Sequence, residues 1–354
     1  MKIAILGLPM SGKTTIFNCL TNNTNQKSSK SNSLGIMKIP DSRVEELSNL
    51  SSSIKTSFAE IEIMDFDNTQ PFNNSSEFFT DEIINSLQEF DAILLMIRSF
   101  SDPSVPHPFG EIDPERDLEQ FLLEQRLKDI NMIEKRIEKI NSEKKLLNKK
   151  NLEHVKVQLK LLESIKKEME EESSFEKTKQ NNEYSKILEE SFFLSSIPIT
   201  IVLNIDENYN DIKLSEITKS NTSSAYIYGK LEEELLLLNK QDAQEIRQDL
   251  KINDFSIPSM VELVLKENKI IHFLTTGKKD TKAWQIKSGS TAVESAQKIH
   301  SDISRGFIRA EVIHYSELLE SGGFVEAKKK GILRTEGKNY IVKNGDVINF
   351  LFSV

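Results

Sequence analysis

One eight-residue segment near the start of the chain constrains the fold more than any other part of the sequence. Residues 7–14 read Gly-Leu-Pro-Met-Ser-Gly-Lys-Thr and match the pattern G-x-x-x-x-G-K-[ST]. An apolar, strand-like run at residues 3–6 precedes the segment, and a helical pattern at residues 15–20 follows it. In this setting the backbone N–H groups of the loop converge on phosphate oxygens, and the positive end of the helix favours their charge. The sequence therefore predicts an α/β fold built around a phosphate-binding loop.

Polar side chains in and after this segment indicate a bound nucleotide and a metal ion. The motif places Lys13 within reach of the β- and γ-phosphates and offers the hydroxyl of Thr14 to Mg²⁺. Asp65 closes a second strand-like run, where such folds place the carboxylate that holds the metal. We therefore expect Mg²⁺ and ATP, or GTP, as cofactors. The loop residues expected to contact the nucleotide are Pro9, Met10, Ser11, Gly12, Lys13, Thr14 and Thr15.

Short apolar runs alternate with helical patterns through the first part of the chain. This alternation favours a mostly parallel sheet, with strands at residues 3–6, 61–64, 92–97 and 199–203. Polar stretches at residues 22–34 and 66–80 have few apolar anchors, so we expect loops there.

The region from residue 115 to residue 188 has a helical pattern of its own. Apolar residues recur at spacings of three and four among many Lys and Glu residues, which predicts two long helices folded back as an antiparallel coiled-coil arm over residues 128–189. The two stripes are Ile130, Ile133, Ile137 and Ile140, then Val155, Leu159, Leu162, Ile165 and Met169. Lysines near the tip of the arm are interpreted either as a solvated surface or as contacts to phosphate.

The last part of the chain has a β-rich pattern typical of a β-grasp domain. We expect a helix at residues 291–303, a tight Asn-Gly hairpin at 342–347, and strands at 270–274, 283–286, 307–313 and 340–342. Trp284 and Phe307 are expected in the core of this domain. The predicted domains are a nucleotide-binding domain (1–127 and 190–267), the arm (128–189) and the β-grasp domain (268–354).

Charge and cysteine content limit the partners and the compartment. The chain carries 46 Lys and Arg against 55 Asp and Glu, a formal charge of −9, which argues against a surface that is basic throughout. Residues 268–354 nevertheless hold 14 Lys and Arg against 9 Asp and Glu, so this region is locally basic. Cys19 is the single cysteine, which favours the reducing cytoplasm. No window reaches about 18 apolar residues, so we expect no membrane-spanning segment.

A candidate base-selecting segment follows the apolar run at residues 199–203. GTPases that resemble this fold use Asn-Lys-x-Asp here, and the Asp accepts hydrogen bonds from guanine. This chain reads Asn204, Ile205, Asp206, Glu207 instead. The longer carboxylate and the missing lysine weaken the match to guanine and make adenine admissible. We expect Asn204, Ile205 and Glu207 to belong to the nucleotide site.

Motifs along most of the chain resemble the YchF / Obg-like ATPase family, a branch of the P-loop GTPases related to translation factors. In the first two thirds, the matching segments are residues 7–15, 39–43, 113–117, 126–129 and 204–207, the last of which follows the family's own Asn-x-x-Glu pattern. In the C-terminal region they are residues 300–302, 306–313 and 336–342. Gly229 and Lys230 lie at the position of the family's last base-contacting loop, which the neighbouring residues match loosely.

The resemblance implies an architecture and partners that composition alone does not. It implies a nucleotide-binding domain, an inserted coiled-coil arm and a C-terminal TGS domain of β-grasp type. It also implies a preference for ATP and an association with ribosomes or RNA. We assign the contact with ribosomes or RNA to the arm and the basic C-terminal region.

Departures from the family pattern fall at the expected γ-phosphate sensor. After the strand-end acid the family has Asp-x-x-Gly, but Asn68 stands in place of the glycine and residues 66–74 contain no glycine. A residue with a Cβ hinders close approach of a backbone N–H to the γ-phosphate. The family's metal-binding threonine has no clear counterpart, and Ser29 lies nearest to its position.

His107 is the candidate catalytic residue. It lies where the family has a histidine thought to help hydrolysis, and a neutral imidazole orients water near pH 7. Two prolines flank it, and a loop histidine without a catalytic role is the other interpretation. Two hypotheses follow: a slow, Mg²⁺-dependent ATPase that binds ribosomes or RNA, and a nucleotide-binding adaptor with negligible turnover.

Overall fold

The structure is an α/β fold, as expected, and its described residues form two six-stranded sheets. The computed structural model describes residues 1–22, 32–66, 78–143, 149–171, 192–206, 223–252 and 256–353. The expected site residue Glu207 lies outside these ranges, as do Ser29 and Asn68, where the sequence departs from the family pattern. The chain divides into two compact units: one holds residues 1–3, 14–65 and 225–354, and the other holds residues 4–13 and 66–224. The predicted domain boundaries remain a prediction.

Strands and helices follow one another along the described residues. The strands are β1 Lys2–Gly7, β2 Ser33–Lys38, β3 Lys55–Ser57, β4 Glu60–Asp65, β5 Ala92–Ser99, β6 Ile199–Ile205, β7 Ser223–Ile227, β8 Ile270–Thr276, β9 Asp280–Lys287, β10 Phe307–His314, β11 Arg334–Glu336 and β12 Asp346–Phe352. The helices are α1 Lys13–Thr21, α2 Ser42–Ser51, α3 Asp81–Leu87, α4 Pro114–Glu143, α5 Lys149–Glu170, α6 Gly229–Leu235, α7 Lys240–Asp249, α8 Ile257–Glu267, α9 Ala292–Ile299, α10 Ser301–Arg305, α11 Tyr315–Ser321 and α12 Phe324–Lys329. A 3-10 turn covers Leu194–Ser196.

The first sheet has the strand order β2-β4-β1-β5-β6-β7. β5 and β6 run parallel, with Ile93 opposite Ile199 and Ser99 opposite Ile205. Both strands are almost entirely buried, which explains their continuous apolar sequences. β2 pairs with β4 in the antiparallel direction and begins at Ser33, so the end of the predicted loop at residues 22–34 is a strand.

The predicted pair of long helices is present in α4 and α5. Their apolar stripes share one buried cluster made of Ile133, Leu161, Leu162, Ile165, Met169 and Phe193. The Lys166 ammonium also pairs with Glu134 across the two helices at 2.6 Å. The described part of α5 ends at Glu170, and residues 172–189 of the predicted arm lie outside the described residues, as do Lys144 and Lys145 near its tip.

The second sheet has the strand order β11-β10-β12-β8-β9-β3. Its core includes Phe273, Ala296, Phe307 and Phe350, with Trp284 packed against it, so both aromatic predictions are confirmed. β3 pairs in parallel with β9, placing Lys55 opposite Asp280. The hydroxyl of Thr276 donates to the carbonyl oxygen of Leu47 in α2 at 3.3 Å. The segment that joins β2 to β4 is therefore packed into the same unit as the C-terminal sheet.

Two predictions for the C-terminal region are wrong in detail. Residues 340–342 form only an isolated bridge between Ile341 and Thr291, so the Asn-Gly turn before β12 does not close a hairpin of two paired strands. The helix expected at residues 291–303 is interrupted at His300, whose backbone is extended at φ −163. The His300 Nδ1 atom accepts the Asp302 N–H at 3.2 Å and caps α10. Side-chain capping therefore divides one helical pattern into two helices.

The sequence predicts no membrane-spanning segment, and the helices of the structure can be compared with that prediction. Within the ranges that the structure describes, every helix is too short or too polar to cross a bilayer.

Candidate functional site

The loop between β1 and α1 depends on glycine at two positions. Gly7 has φ +154 and Gly12 has φ +96, values that side chains rarely accept. A Cβ on Gly7 would collide with the carbonyl oxygen of Met96 in β5, and a Cβ on Gly12 would collide with the side-chain amide of Asn204 in β6. Both motif glycines therefore let the loop lie directly against neighbouring backbone and side-chain atoms.

The Lys13 side chain is buried along this loop. Its ammonium donates to the carbonyl oxygens of Gly7 at 3.0 Å and Leu8 at 2.9 Å. The Ser11 N–H also donates to the Leu8 oxygen at 3.3 Å. The Ser11 hydroxyl is buried and has no hydrogen-bond partner in the part of the chain that the structure describes. A buried ammonium and an unsatisfied hydroxyl in one loop fit an anionic oxygen ligand such as phosphate.

Thr14 and Asp65, the two residues expected to bind the metal, lie within hydrogen-bond distance of each other. The Thr14 hydroxyl donates to Oδ2 of Asp65 at 2.9 Å, and the Asp65 side chain is buried. No cluster of three or more His, Cys, Asp or Glu side chains in the described ranges could hold a metal by itself. Two protein oxygens fit Mg²⁺, which usually keeps several waters and also binds substrate phosphates.

Asn204 supports the loop from the end of β6. Its Nδ2 atom donates to the Ser11 carbonyl oxygen at 3.1 Å, and the residue is buried. Ile205 is buried beside it, and Asp206 accepts the Ser101 N–H at 2.7 Å. Contact of Asn204, Ile205 or Glu207 with a base remains a prediction.

The remaining expected nucleotide contacts have varied exposure. Pro9 and Thr15 are half-buried, and Met10 is exposed with φ +63. Gly229 and Lys230 form the first turn of α6, where Gly229 is buried and Lys230 is exposed. The contribution of these five residues to nucleotide binding remains a prediction.

His107 is enclosed by hydrogen bonds on both sides of its ring. The Phe109 N–H donates to Nδ1 at 3.2 Å, and Nε2 lies 2.9 Å from Oδ2 of Asp117. Because Nδ1 accepts, the proton of the neutral ring lies on Nε2 and is donated to Asp117. Arg116 donates to the other Asp117 oxygen at 2.9 Å. In this arrangement both ring nitrogens are engaged, and the catalytic role of His107 remains a prediction.

Sequence analysis assigned no role to two residues that organise the His107 loop. Asp117 orients the ring, and Arg98 donates to carbonyl groups of the loop itself. Arg98 interrupts the apolar run of β5 and is buried, with 2% of its surface exposed. A single charged residue within an otherwise buried strand is the signal that could have identified it.

One segment that matches the family connects α2 to the C-terminal sheet. Asp41 accepts from Nε and Nη2 of Arg43 at 2.8 and 2.7 Å, and these bonds raise the pKa of the guanidinium. Arg43 also donates to Asn344 at 3.3 Å and lies 5.6 Å from the centre of the Tyr315 ring. These contacts pack the start of α2 against C-terminal residues of the same compact unit.

Asp129, in another matching segment, has a structural role. Its carboxylate accepts the N–H groups of Leu194 at 2.7 Å and Ser195 at 2.9 Å. Burial raises its pKa, while the hydrogen bonds oppose that change. Asp129 therefore ties α4 to the 3-10 turn that precedes β6.

Comparisons with known proteins agree with the arrangement of these elements. A family model named YchF-GTPase_C, described as a protein of unknown function (DUF933), matches residues 270–353. The chain is 31% identical to the ribosome-binding ATPase YchF of Bacillus subtilis, over 99% of this chain and 98% of that protein. It is 27% identical to Obg-like ATPase 1 of Pongo abelii, over 100% of this chain and 92% of that protein. The structure of the Schizosaccharomyces pombe YchF GTPase matches with a TM-score of 0.83 at 21% identity, covering 99% of this chain and 97% of the other, and supports the fold.

Proposed function

This chain belongs to the YchF family, and we propose that it is a Mg²⁺-dependent protein that binds ATP, or GTP, and hydrolyses it slowly. We further propose that it associates with ribosomes or RNA in the cytoplasm. The observation that carries the nucleotide proposal is the buried Lys13 ammonium within a glycine-ended loop, followed directly by Thr14 with its hydrogen bond to Asp65.

The proposed chemistry is mainly the positioning and neutralisation of phosphate charge. The loop N–H groups and Lys13 would bind the phosphates, and Thr14 and Asp65 would hold Mg²⁺. When bound, Mg²⁺ supplies positive charge to the phosphate oxygens. The buried Ser11 hydroxyl offers one further donor in the same loop.

His107 is proposed to orient the attacking water. This role requires the ring to leave at least one of its two hydrogen bonds, to Asp117 or to the Phe109 N–H. Hydrolysis would then be slow, because the productive ring orientation competes with at least one existing hydrogen bond.

The engaged ring also favours a second candidate function. If His107 keeps both hydrogen bonds when nucleotide is bound, the protein is an adaptor that holds nucleotide without turning it over. The replacement of glycine by Asn68 in the expected γ-phosphate sensor supports this alternative.

The ribosome proposal rests on relatives and on charge. The B. subtilis relative is named a ribosome-binding ATPase, and in this chain residues 328–330 are three consecutive exposed lysines. Phosphate contacts by such lysines release counterions, so affinity for ribosomes or RNA should fall as salt rises. Binding that is independent of salt would exclude an electrostatic contact surface.

Titration with ATP and with GTP, each with and without Mg²⁺, followed by phosphate release over hours, tests the proposal. Turnover that is lost in His107→Ala, with affinity retained, would support the slow hydrolase. Tight binding with no phosphate release would support the adaptor. No measurable binding of either nucleotide would refute both.

A further inference from the structure

Arg98 has an unusual position for a guanidinium. It is the seventh residue of the buried strand β5, and only 2% of its surface is exposed. Its Nε atom donates to the Phe100 carbonyl oxygen at 3.2 Å, its Nη2 atom to Asp102 at 3.3 Å and its Nη1 atom to Pro106 at 3.4 Å. One side chain therefore holds three backbone carbonyls of the loop at residues 100–106.

Removing the Arg98 guanidinium from water costs free energy, and its contacts with the loop must offset that cost. Burial lowers the pKa of Arg98, and the Asp102 carboxylate opposes that change. The guanidinium carbon also lies 4.4 Å from the centre of the Phe100 ring. A planar guanidinium presents its N–H groups as a rigid fork, whereas a lysine ammonium is a single point on a flexible stem. Arginine therefore suits the three contacts better than lysine would.

The loop held by Arg98 leads directly into the His107 turn. Pro106, the third acceptor, immediately precedes His107 in the sequence. His107 then begins a turn in which its carbonyl oxygen accepts the Gly110 N–H at 3.0 Å. The ring is placed by the Phe109 N–H and Asp117. Arg98 thus fixes the entry of the turn, and Asp117 fixes the ring that the turn carries.

We propose that Arg98 is a positioning residue that sets the orientation of His107 through the backbone of residues 100–106. The inference rests on the proposed function for its catalytic consequence, because it gives Arg98 a role in hydrolysis through His107. The structural part of the proposal concerns contacts within the protein and does not depend on turnover. All of these contacts lie within one compact unit.

Hydrogen exchange of the full chain tests the structural part. In Arg98→Ala, the amides of Phe109 and Gly110 should exchange about tenfold faster than in the wild type, because the entry of their turn is no longer held. Arg98→Lys should be intermediate and provides the test if the alanine variant does not fold. Arg305→Ala removes an exposed guanidinium from α10 and should leave both amides unchanged. Unchanged exchange of both amides in a folded Arg98 variant would overturn the proposal.

Phosphate release from the same variants tests the catalytic part. Arg98→Ala should lower kcat about tenfold and leave KM within about twofold, because Arg98 contacts only the loop. In a His107→Ala background, the Arg98 substitution should have no further effect on kcat. An equal loss in both backgrounds would show that Arg98 does not act through His107. If the wild type has no turnover, the proposed hydrolysis fails, while the exchange experiment still decides whether Arg98 positions His107.

Discussion

The Thr14 hydroxyl and the Asp65 carboxylate lie 2.9 Å apart, joined by a hydrogen bond that links the first turn of α1 to the end of β4. The two residues are far apart in sequence, yet their side-chain oxygens lie side by side, as the proposed Mg²⁺ site requires. This pair is the part of the site most directly open to a metal-dependence experiment.

Replacing Asp65 with Asn should weaken the effect of Mg²⁺ on nucleotide affinity. The amide oxygen can still accept from Thr14 but has no negative charge, so we expect the gain in affinity from Mg²⁺ to fall about tenfold. Titration of ATP in Mg²⁺ and in EDTA measures this gain. Glu62→Gln, on the exposed side of the same strand, is the matched control. Equal Mg²⁺ dependence in Asp65→Asn and wild type would exclude Asp65 as a ligand.

Replacing Lys13 with Ala should remove most nucleotide binding. The variant loses an ammonium that is enclosed by the loop, and loss of charge-assisted hydrogen bonds to phosphate should weaken affinity about 100-fold. Calorimetry with ATP and GTP measures the change. Lys287→Ala removes an exposed lysine at the end of β9 and should bind normally. Wild-type affinity in Lys13→Ala would refute the phosphate-loop assignment.

His272 should make the protein less stable in mild acid. Its Nε2 atom is buried without a hydrogen-bond partner in the described ranges, and its pKa is lowered from 6.5 by burial and by Arg43, with Asp41 opposing. The unfolded chain therefore binds a proton before the folded chain does. The free energy of unfolding should be at its plateau above about pH 6.5 and should decrease below it, by up to about 1.4 kcal/mol per pH unit from this residue.

Urea unfolding at several pH values checks this dependence. His272→Phe cannot titrate and should flatten the curve, whereas His300→Gln, at an exposed histidine, should keep the wild-type slope. An unchanged slope in His272→Phe would assign the acid sensitivity to other groups.

Cys19 should be inert in the folded protein. Burial, followed by the nearby Glu232 and Glu233 charges, raises the pKa of its thiol to about 12. Near about pH 8 only ~10⁻⁴ of the thiol would be ionised, so alkylation should be negligible. Mass spectrometry after iodoacetamide treatment, with and without guanidinium chloride, measures the labelling. Rapid labelling without denaturant would mean that α1 opens readily or that the thiol is not buried.

Local sequence patterns predicted much of this protein. Apolar runs located β1, β4, β5 and β6, and the glycine-ended motif predicted the loop that encloses Lys13. These features depend on a few consecutive residues, which is why one sequence is enough to find them.

Features that depend on distant contacts were not predictable. β3 reads Lys-Thr-Ser, which has no strand pattern, and it forms only because β9 offers a free edge. Residues 340–342 have a strand-like composition, but their backbone is hydrogen-bonded to residues at the start of α9 and just before it. For example, the Val342 N–H donates to the Ser290 carbonyl oxygen. His107 was located through a family resemblance, while its engagement by Asp117 depends on how the loop folds onto α4.

The pairing of β3 with β9 also dictates an order of events on the translating ribosome. Lys55 is synthesised about 225 residues before its partner Asp280, so the nascent chain must wait for most of its own translation before this strand is paired. The next strand, β4, ends at Asp65 and pairs with β2, which is made before it, so this pairing needs no later part of the chain. Pairing of β3 is therefore completed late in synthesis, and a nascent chain released early would lack it.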